Sequence, residues 1–190
     1  MKVGPALVVA LAAVALSSAA IAQQKPAAAG EKPAMEMPKP APEMESFKWM
    51  VGKWRVIETH EPGPMGPGGA GAGTMTVTLG PGGFSHIMHY ESNGPMGKFT
   101  GHGISAWDAD KKKFVGSWTD SMTPGLMMSE CSVEGKDMTC KSDGTMQGQK
   151  MSMRTTAKNV SPSGWTEVFE MSMGDGPMQK MMTLEYKPLK

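Results

Sequence analysis

The sequence predicts an all-β protein, an antiparallel up-and-down barrel of roughly ten strands preceded by a short helix. Short runs of β-favouring residues recur along the chain, with Gly-, Pro-, Asn- and Asp-containing turns between them. Phe99–Met122 has the pattern of one long hairpin around the turn 108–113, and Gln149–Lys158 gives the clearest alternation of apolar and polar residues. A meander of this length must close or stack to protect its edge strands, and closure yields a barrel.

Residues 1–22 have the features of a signal peptide. Lys2 supplies a positive charge, Val3–Ala20 is an apolar run, and Ala20-Ile21-Ala22 is a small-x-small cleavage pattern. We therefore expect cleavage after Ala22 and export of the mature protein to the periplasm or the medium, with no integral membrane segment remaining. An uncleaved membrane anchor is the alternative.

Residues 23–45 are rich in Pro, Ala and Met and lack apolar periodicity. Such a segment buries too little surface to offset its ordering entropy, which predicts a disordered tether. The barrel domain is then expected over residues 46–190. Ser46–Val51 is expected to form one helical turn that begins at Ser46 and stops at Gly52. Residues 61–73 hold many Gly and Pro residues, which favours a mobile loop.

Net charge excludes one class of partner. The chain has 19 Lys and Arg residues against 18 Asp and Glu residues, and loss of Lys2 with the signal peptide would balance the two signs. A neutral chain without a basic cluster has no electrostatic footprint for nucleic acid or an anionic membrane, so neither is expected as a partner. The oligomeric state is left open by the sequence.

The two cysteines predict a structural disulfide. Residues 134–137 form a turn, and pairing Val133 with Met138 places Cys131 directly opposite Cys140. Export to an oxidising compartment favours bond formation between them. The spacing matches neither a Cys-x-x-Cys redox motif nor a zinc knuckle.

Two sequence features resemble known families. Gly52-Lys53-Trp54 resembles the Gly-x-Trp opening of lipocalin-like, calycin-type barrels, although their usual Arg on the last strand is missing here. The hairpin residues Trp107-Asp108 and Trp118–Met122 resemble a narrower family of bacterial, often exported proteins known only as a domain of unknown function. The resemblance covers residues 47–186. It implies a lipocalin-like barrel with a cavity and brings no established reaction.

Methionine is unusually frequent, with 21 residues against five Phe and two Tyr. Met is a flexible, polarizable side chain suited to lining an adaptable apolar cavity. We therefore predict a non-enzymatic protein that binds a small apolar or amphipathic ligand and needs no cofactor. The residues predicted to contact that ligand are Met75, Met88, Tyr90, Trp107, Trp118, Asp120, Met151, Met153 and Met171.

Three alternatives to ligand binding follow from the same residues. Thioethers select Cu(I), which makes periplasmic binding of Cu(I) or Ag(I) through His86, Met88, Met151 and Met153 a second candidate function. An enzyme acting through Asp120 and a histidine is disfavoured because no catalytic motif is present. The third alternative is a purely structural domain with a filled core.

The histidines bear on the metal hypothesis. His60 is expected to be solvated and His86 to point inward. His89 would lie opposite His102 if their hairpin loop has six residues, and a five-residue loop would break that pairing. Haem would need an axial histidine, for which His86 has suitable neighbours, but no other feature indicates a porphyrin.

Overall fold

The computed structural model describes residues 37–63, 66–146 and 148–189. The predicted signal peptide and most of the predicted tether lie outside the described residues. In the part of the chain that is described, no helix has the length and apolar character needed to span a membrane.

Ten antiparallel strands within the described residues close into a barrel, which confirms the predicted fold class. Each strand pairs with its neighbours along the chain, and β1 pairs with β10. A short helix, α1 (Pro42–Ser46), and a 3₁₀ turn (Lys48–Met50) precede the first strand. The strands are β1 (Gly52–His60), β2 (Gly69–Leu79), β3 (Ser85–Gly94), β4 (Gly97–Asp108), β5 (Lys113–Asp120), β6 (Met127–Glu134), β7 (Asp137–Met146), β8 (Gln149–Ser161), β9 (Gly164–Met173) and β10 (Gln179–Pro188).

The helical segment begins earlier than the predicted start at Ser46. Helix α1 ends at Ser46, and its Pro42 occupies a first-turn position where a missing N–H costs nothing. Met44 of α1 is buried in a cluster with Phe114 and Cys131. Phe47 stacks edge-on against Phe114 with ring centroids 5.3 Å apart. Burial of these apolar side chains against one end of the barrel orders residues that were assigned to the tether.

Strand β2 corrects the prediction of a mobile loop over residues 61–73. Gly69–Gly73, with the sequence Gly-Ala-Gly-Ala-Gly, pairs with β1 along its whole length. Glycine falls on the inward positions, and a Cβ added at Gly71 would collide with the carboxyl group of Glu58. The glycines therefore make room for side chains inside the barrel.

One register that the sequence left open is resolved, and one predicted register is confirmed. In the β3–β4 hairpin Ser92 lies opposite Phe99 and His89 opposite His102. In the β6–β7 hairpin Cys131 lies opposite Cys140, and their sulfur atoms are at disulfide-bonding distance, 2.05 Å.

The end of the barrel next to α1 is closed by aromatic packing. Trp54 contacts Trp49 and Trp165, with ring centroids 6.0 and 4.8 Å away, and Trp165 stacks on Tyr186 at 4.2 Å. The indole N–H of Trp54 also donates to the backbone carbonyl of Met50, at 2.8 Å. The lipocalin resemblance implies an Arg packed on Trp54, the tryptophan of the Gly-x-Trp opening. In this protein Trp165 packs there instead.

Candidate functional site

The interior of the barrel holds a cavity of about 380 Å³. Its walls are mainly the inward-facing Met, Phe, Trp, Tyr and Val side chains of the strands. Eight of the nine residues that the sequence predicted as ligand contacts line this cavity: Met75, Met88, Tyr90, Trp118, Asp120, Met151, Met153 and Met171.

Trp107 does not line the cavity, unlike the other predicted contacts. Its ring packs on Phe114, with centroids 5.2 Å apart, in the cluster that also contains Met44. Trp107 shares a face with Phe114 across β4 and β5, but it lies at the end of that hairpin where α1 covers the barrel.

Asp120 lies at the end of β5 and is held by local hydrogen bonds. One carboxylate oxygen accepts from the indole N–H of Trp118 at 3.1 Å. The other accepts from the backbone N–H groups of Met122 and Thr123, at 2.8 and 2.7 Å. These bonds fix the turn after β5 and orient the Trp118 ring. This structural role is sufficient to explain why an acid stands at position 120.

A buried carboxyl group, Glu58, was missed by the sequence predictions. Glu58 is 3% exposed and faces the cavity from β1. It accepts a hydrogen bond from the phenol of Tyr90, and its second oxygen lies 2.7 Å from Nε2 of His60. His60 is therefore not solvated as expected, since its side chain is only 15% exposed.

A second carboxyl group, Glu167, faces the same cavity from β9. Thr155, Tyr186 and Trp165 donate hydrogen bonds to it. Burial nevertheless raises the pKa of Glu167 above its ordinary value, because removal from water disfavours the charged form. Burial and the nearby Glu167 carboxyl likewise raise the pKa of Tyr186. Each interior glutamate is thus held by a tyrosine hydroxyl.

The sequence contains a pattern that could have identified both glutamates as inward-facing. On β1 the inward positions read Trp54, Val56 and Glu58, so an acid stands where the alternation calls for an apolar residue. Glu167 likewise stands between Trp165 and Phe169 on the inward face of β9. Charged residues are almost never fully buried unless they are paired, so such a position indicates a specific role.

His86 is a further polar group in the cavity wall, and it points inward as predicted. It is 4% exposed, and its Nε2 has no hydrogen-bond partner among the described residues. Burial lowers the pKa of His86, which favours the neutral imidazole. A buried polar atom without a partner costs about 1–3 kcal/mol of stability, so a ligand that supplied one would be favoured.

Methionines form a distinct part of the wall. Met151, Met153, Met171 and Met181 make one buried cluster, and Met153 lies directly opposite Met171. The residues predicted to bind a metal ion therefore do not all lie in one cluster. Met88 packs with the separate cluster around Trp54, whereas Met151 and Met153 belong to the methionine cluster.

The charged groups around the cavity are nearly all acidic. No Lys or Arg occurs among the described residues that line it. Within the same described part of the chain, no group of three or more His, Cys, Asp or Glu side chains is placed to hold a metal ion. The His89–His102 pair has ring centroids 4.5 Å apart, but neither residue is part of the cavity wall.

The fold and its cavity place the protein among β-barrels with an interior cavity, and a comparison with protein-family models identifies its family. Residues 39–188 match the model of a family described as protein of unknown function (DUF1579). The chain belongs to this family. A search of proteins with curated descriptions found no match.

One solved structure shares the fold, and a second aligns with the barrel more loosely. The crystal structure of Rv2717c from M. tuberculosis aligns with a TM-score of 0.60 at 9% identity, covering 80% of this chain and 100% of that one. The S-type phycobiliprotein lyase CPES from Guillardia theta aligns with a TM-score of 0.49 at 13% identity, covering 77% of this chain and 92% of that one. At these identities the similarity concerns the fold alone.

The comparison contradicts the prediction that the protein is not an enzyme. The phycobiliprotein lyase is an enzyme, and its chain aligns with this barrel. The prediction that the protein is not an enzyme is therefore withdrawn. The similarity assigns no reaction to this chain.

Proposed function

We propose that this protein binds one small apolar or amphipathic molecule inside its barrel. The supporting observation is the interior cavity of about 380 Å³ with mainly apolar walls. Small-molecule sites are typically concave, largely apolar and furnished with a few placed polar groups. Glu58, His86 and Glu167 are such groups here.

A cavity-filling variant tests the proposal. Ala157 is buried in the wall, so Ala157→Phe should occupy ligand space. Ala72 is exposed, and Ala72→Phe adds the same bulk outside. Titration with the neutral fluorescent probe N-phenylnaphthylamine should show binding to wild type and to Ala72→Phe, and weaker binding to Ala157→Phe by about tenfold or more.

Circular dichroism should first confirm that both variants fold, because overpacking itself destabilises cores. Equal probe binding by wild type and a folded Ala157→Phe variant would place the ligand elsewhere. Native mass spectrometry of the protein from its own source would then identify a retained molecule directly.

We further propose that the protein acts outside the cytoplasmic membrane. Support comes from the signal-like sequence of residues 1–22 and from the Cys131–Cys140 pair, since structural disulfides persist in oxidising compartments. Cell fractionation with and without residues 1–22 tests this. Recovery of the full-length chain in the cytoplasm with both thiols free would contradict it.

Binding of Cu(I) or Ag(I) is the second candidate function. The observation that favours it is the convergence of Met151, Met153, Met171 and Met181 in one buried cluster. Thioether sulfur is a soft ligand that selects Cu(I) over harder divalent ions. Sites for such ions are set by geometry, and adjacent strands here pack the four methionine side chains together.

The copper candidate is tested by a Cu(I) titration against a competing chelator. Met151→Leu/Met153→Leu keeps the apolar volume and removes two sulfur atoms, and Met75→Leu/Met88→Leu does the same in the other cluster. Copper binding should be lost only in the first double variant. Absence of copper uptake by wild type, or equal uptake by both variants, would exclude this cluster as the site.

A further inference from the structure

We propose that the ligand is an amphipathic amine, an apolar body carrying a cationic head with hydrogen-bond donors. This inference rests on the proposed ligand-binding function and specifies the chemistry of its site. The inner wall presents two carboxyl groups, Glu58 and Glu167, to one apolar cavity.

The two glutamates lie two strands apart in the wall. Leu184 of β10 lies directly opposite Glu58 on one side and Glu167 on the other. The three residues thus form one inward row across adjacent strands. Since neighbouring strands are about 4.8 Å apart, the backbones of Glu58 and Glu167 are separated by about 10 Å.

The other acids at the cavity already have partners. Asp120 is bonded to Trp118 and to the turn that follows it. Glu61 forms an ion pair with Lys180, with 2.8 Å between Oε1 and Nζ. Glu58 and Glu167 are held instead by tyrosine hydroxyls, which donate hydrogen bonds but carry no positive charge. The Nε2 atom of His60 lies 2.7 Å from the second oxygen of Glu58.

The distribution of acidic and basic groups around the cavity favours one kind of head group on the ligand. A carboxylate head would meet two carboxyl groups and no Lys or Arg among the described lining residues. An ammonium head brings positive charge and three donors to oxygen atoms that retain lone pairs. Burial raises the pKa of Glu167 in the empty cavity, so an ammonium head would also favour its ionisation, and opposite charges attract most strongly where water is excluded.

His86 gives independent support that the cavity receives a ligand with polar atoms. Its Nε2 is buried, belongs to the wall of the same cavity, and has no partner among the described residues. Buried polar groups in folded proteins are normally hydrogen-bonded. A purely hydrocarbon ligand would leave this nitrogen without a partner.

Three probes of equal chain length separate the head groups: octylamine, octanol and octanoate, each used to displace N-phenylnaphthylamine from the folded wild-type protein. Octylamine should bind more tightly than octanoate by at least about tenfold, the magnitude of one charged hydrogen bond. The affinity of octanol should fall between those of octylamine and octanoate.

Glu58→Gln/Glu167→Gln should abolish the preference for the amine and leave octanol binding unchanged. Glu185→Gln, an exposed position, is the matched control and should retain the preference.

The outcomes distinguish the two proposals. Octanoate binding as tightly as octylamine to wild type would overturn the amine assignment and leave ligand binding intact. Failure of all three probes to displace N-phenylnaphthylamine, or failure of that probe to bind, would overturn ligand binding in the cavity as well. Wild-type selectivity decides the question even if the glutamine variant does not fold.

Discussion

The phenol of Tyr90 donates a hydrogen bond to the buried carboxyl group of Glu58, 32 positions earlier in the chain. The two side chains project from β3 and β1, on either side of the glycine-rich strand β2. Gly71 and Gly73 between them leave the space that this bond crosses. A polar interaction therefore spans three strands in a mainly apolar wall.

Removal of this bond should be costly. In Tyr90→Phe the Glu58 carboxyl would lose a donor inside the barrel, and we expect a loss of about 1–3 kcal/mol in the free energy of unfolding, measured by urea denaturation. Tyr90→Phe/Glu58→Met completes a double-mutant cycle that isolates the pair, because Met keeps the side-chain length and removes the acceptor oxygens. Purely additive effects of the two substitutions would show that the bond contributes nothing.

A methyl group at Gly71 should displace Glu58. The Cβ of Gly71→Ala would collide with the Glu58 carboxyl group. Gly71 does not have a positive φ, so the substitution adds no backbone strain of that kind. We expect loss of stability and of amine binding together. Gly144→Ala is the matched control, because its Cβ would meet only the terminal methyl of Met151, at an ordinary 3.5 Å. Equal unfolding midpoints for the two variants would argue against the observed position of Glu58.

The Cys131–Cys140 bridge should stabilise the barrel modestly. The two residues are nine positions apart, and closure of so short a loop corresponds to roughly 2–3 kcal/mol in the chain-entropy model. Cys131→Ala/Cys140→Ala should lower the free energy of unfolding by about that amount in urea. A reducing agent should lower it similarly in wild type and have no effect on the variant.

Glu167 should make the protein less stable as pH rises. Its pKa is raised in the folded state, so above the ordinary glutamate pKa the folded protein retains a proton that the unfolded chain releases. The free energy of unfolding then falls with increasing pH until the folded-state pKa is passed. Glu167→Gln should show a flatter profile over this window in urea denaturation at several pH values. Parallel profiles for wild type and variant would refute the assignment to Glu167.

Local sequence patterns were sufficient for several parts of the site. Alternation placed Met151, Met153 and Ala157 on one face of β8, and all three are buried. Turn composition placed Cys131 opposite Cys140, because a short turn sets the register of the hairpin that it joins. These features depend on neighbours along the chain.

Other parts depended on contacts between distant strands. The composition of Gly69–Gly73 favours a loop, yet it becomes a strand because β1 pairs with all of it and β3 pairs with its last two residues. His60 was expected in solvent, but its side chain is mostly buried beside Glu58. Propensity describes a residue with its local neighbours and carries no information about a partner dozens of positions away.

The sequence by itself therefore determined the barrel, the disulfide pair and the methionine-lined interior, since all three follow from period-two alternation and hairpin turns. Only the tertiary structure decided that Glu58 and Glu167 face one cavity without a Lys or Arg among its described lining residues. Their proximity arises from closure of β10 onto β1, which joins opposite ends of the chain. The placement of two acids in one cavity is thus a property of the closed sheet, because no single strand contains both of them.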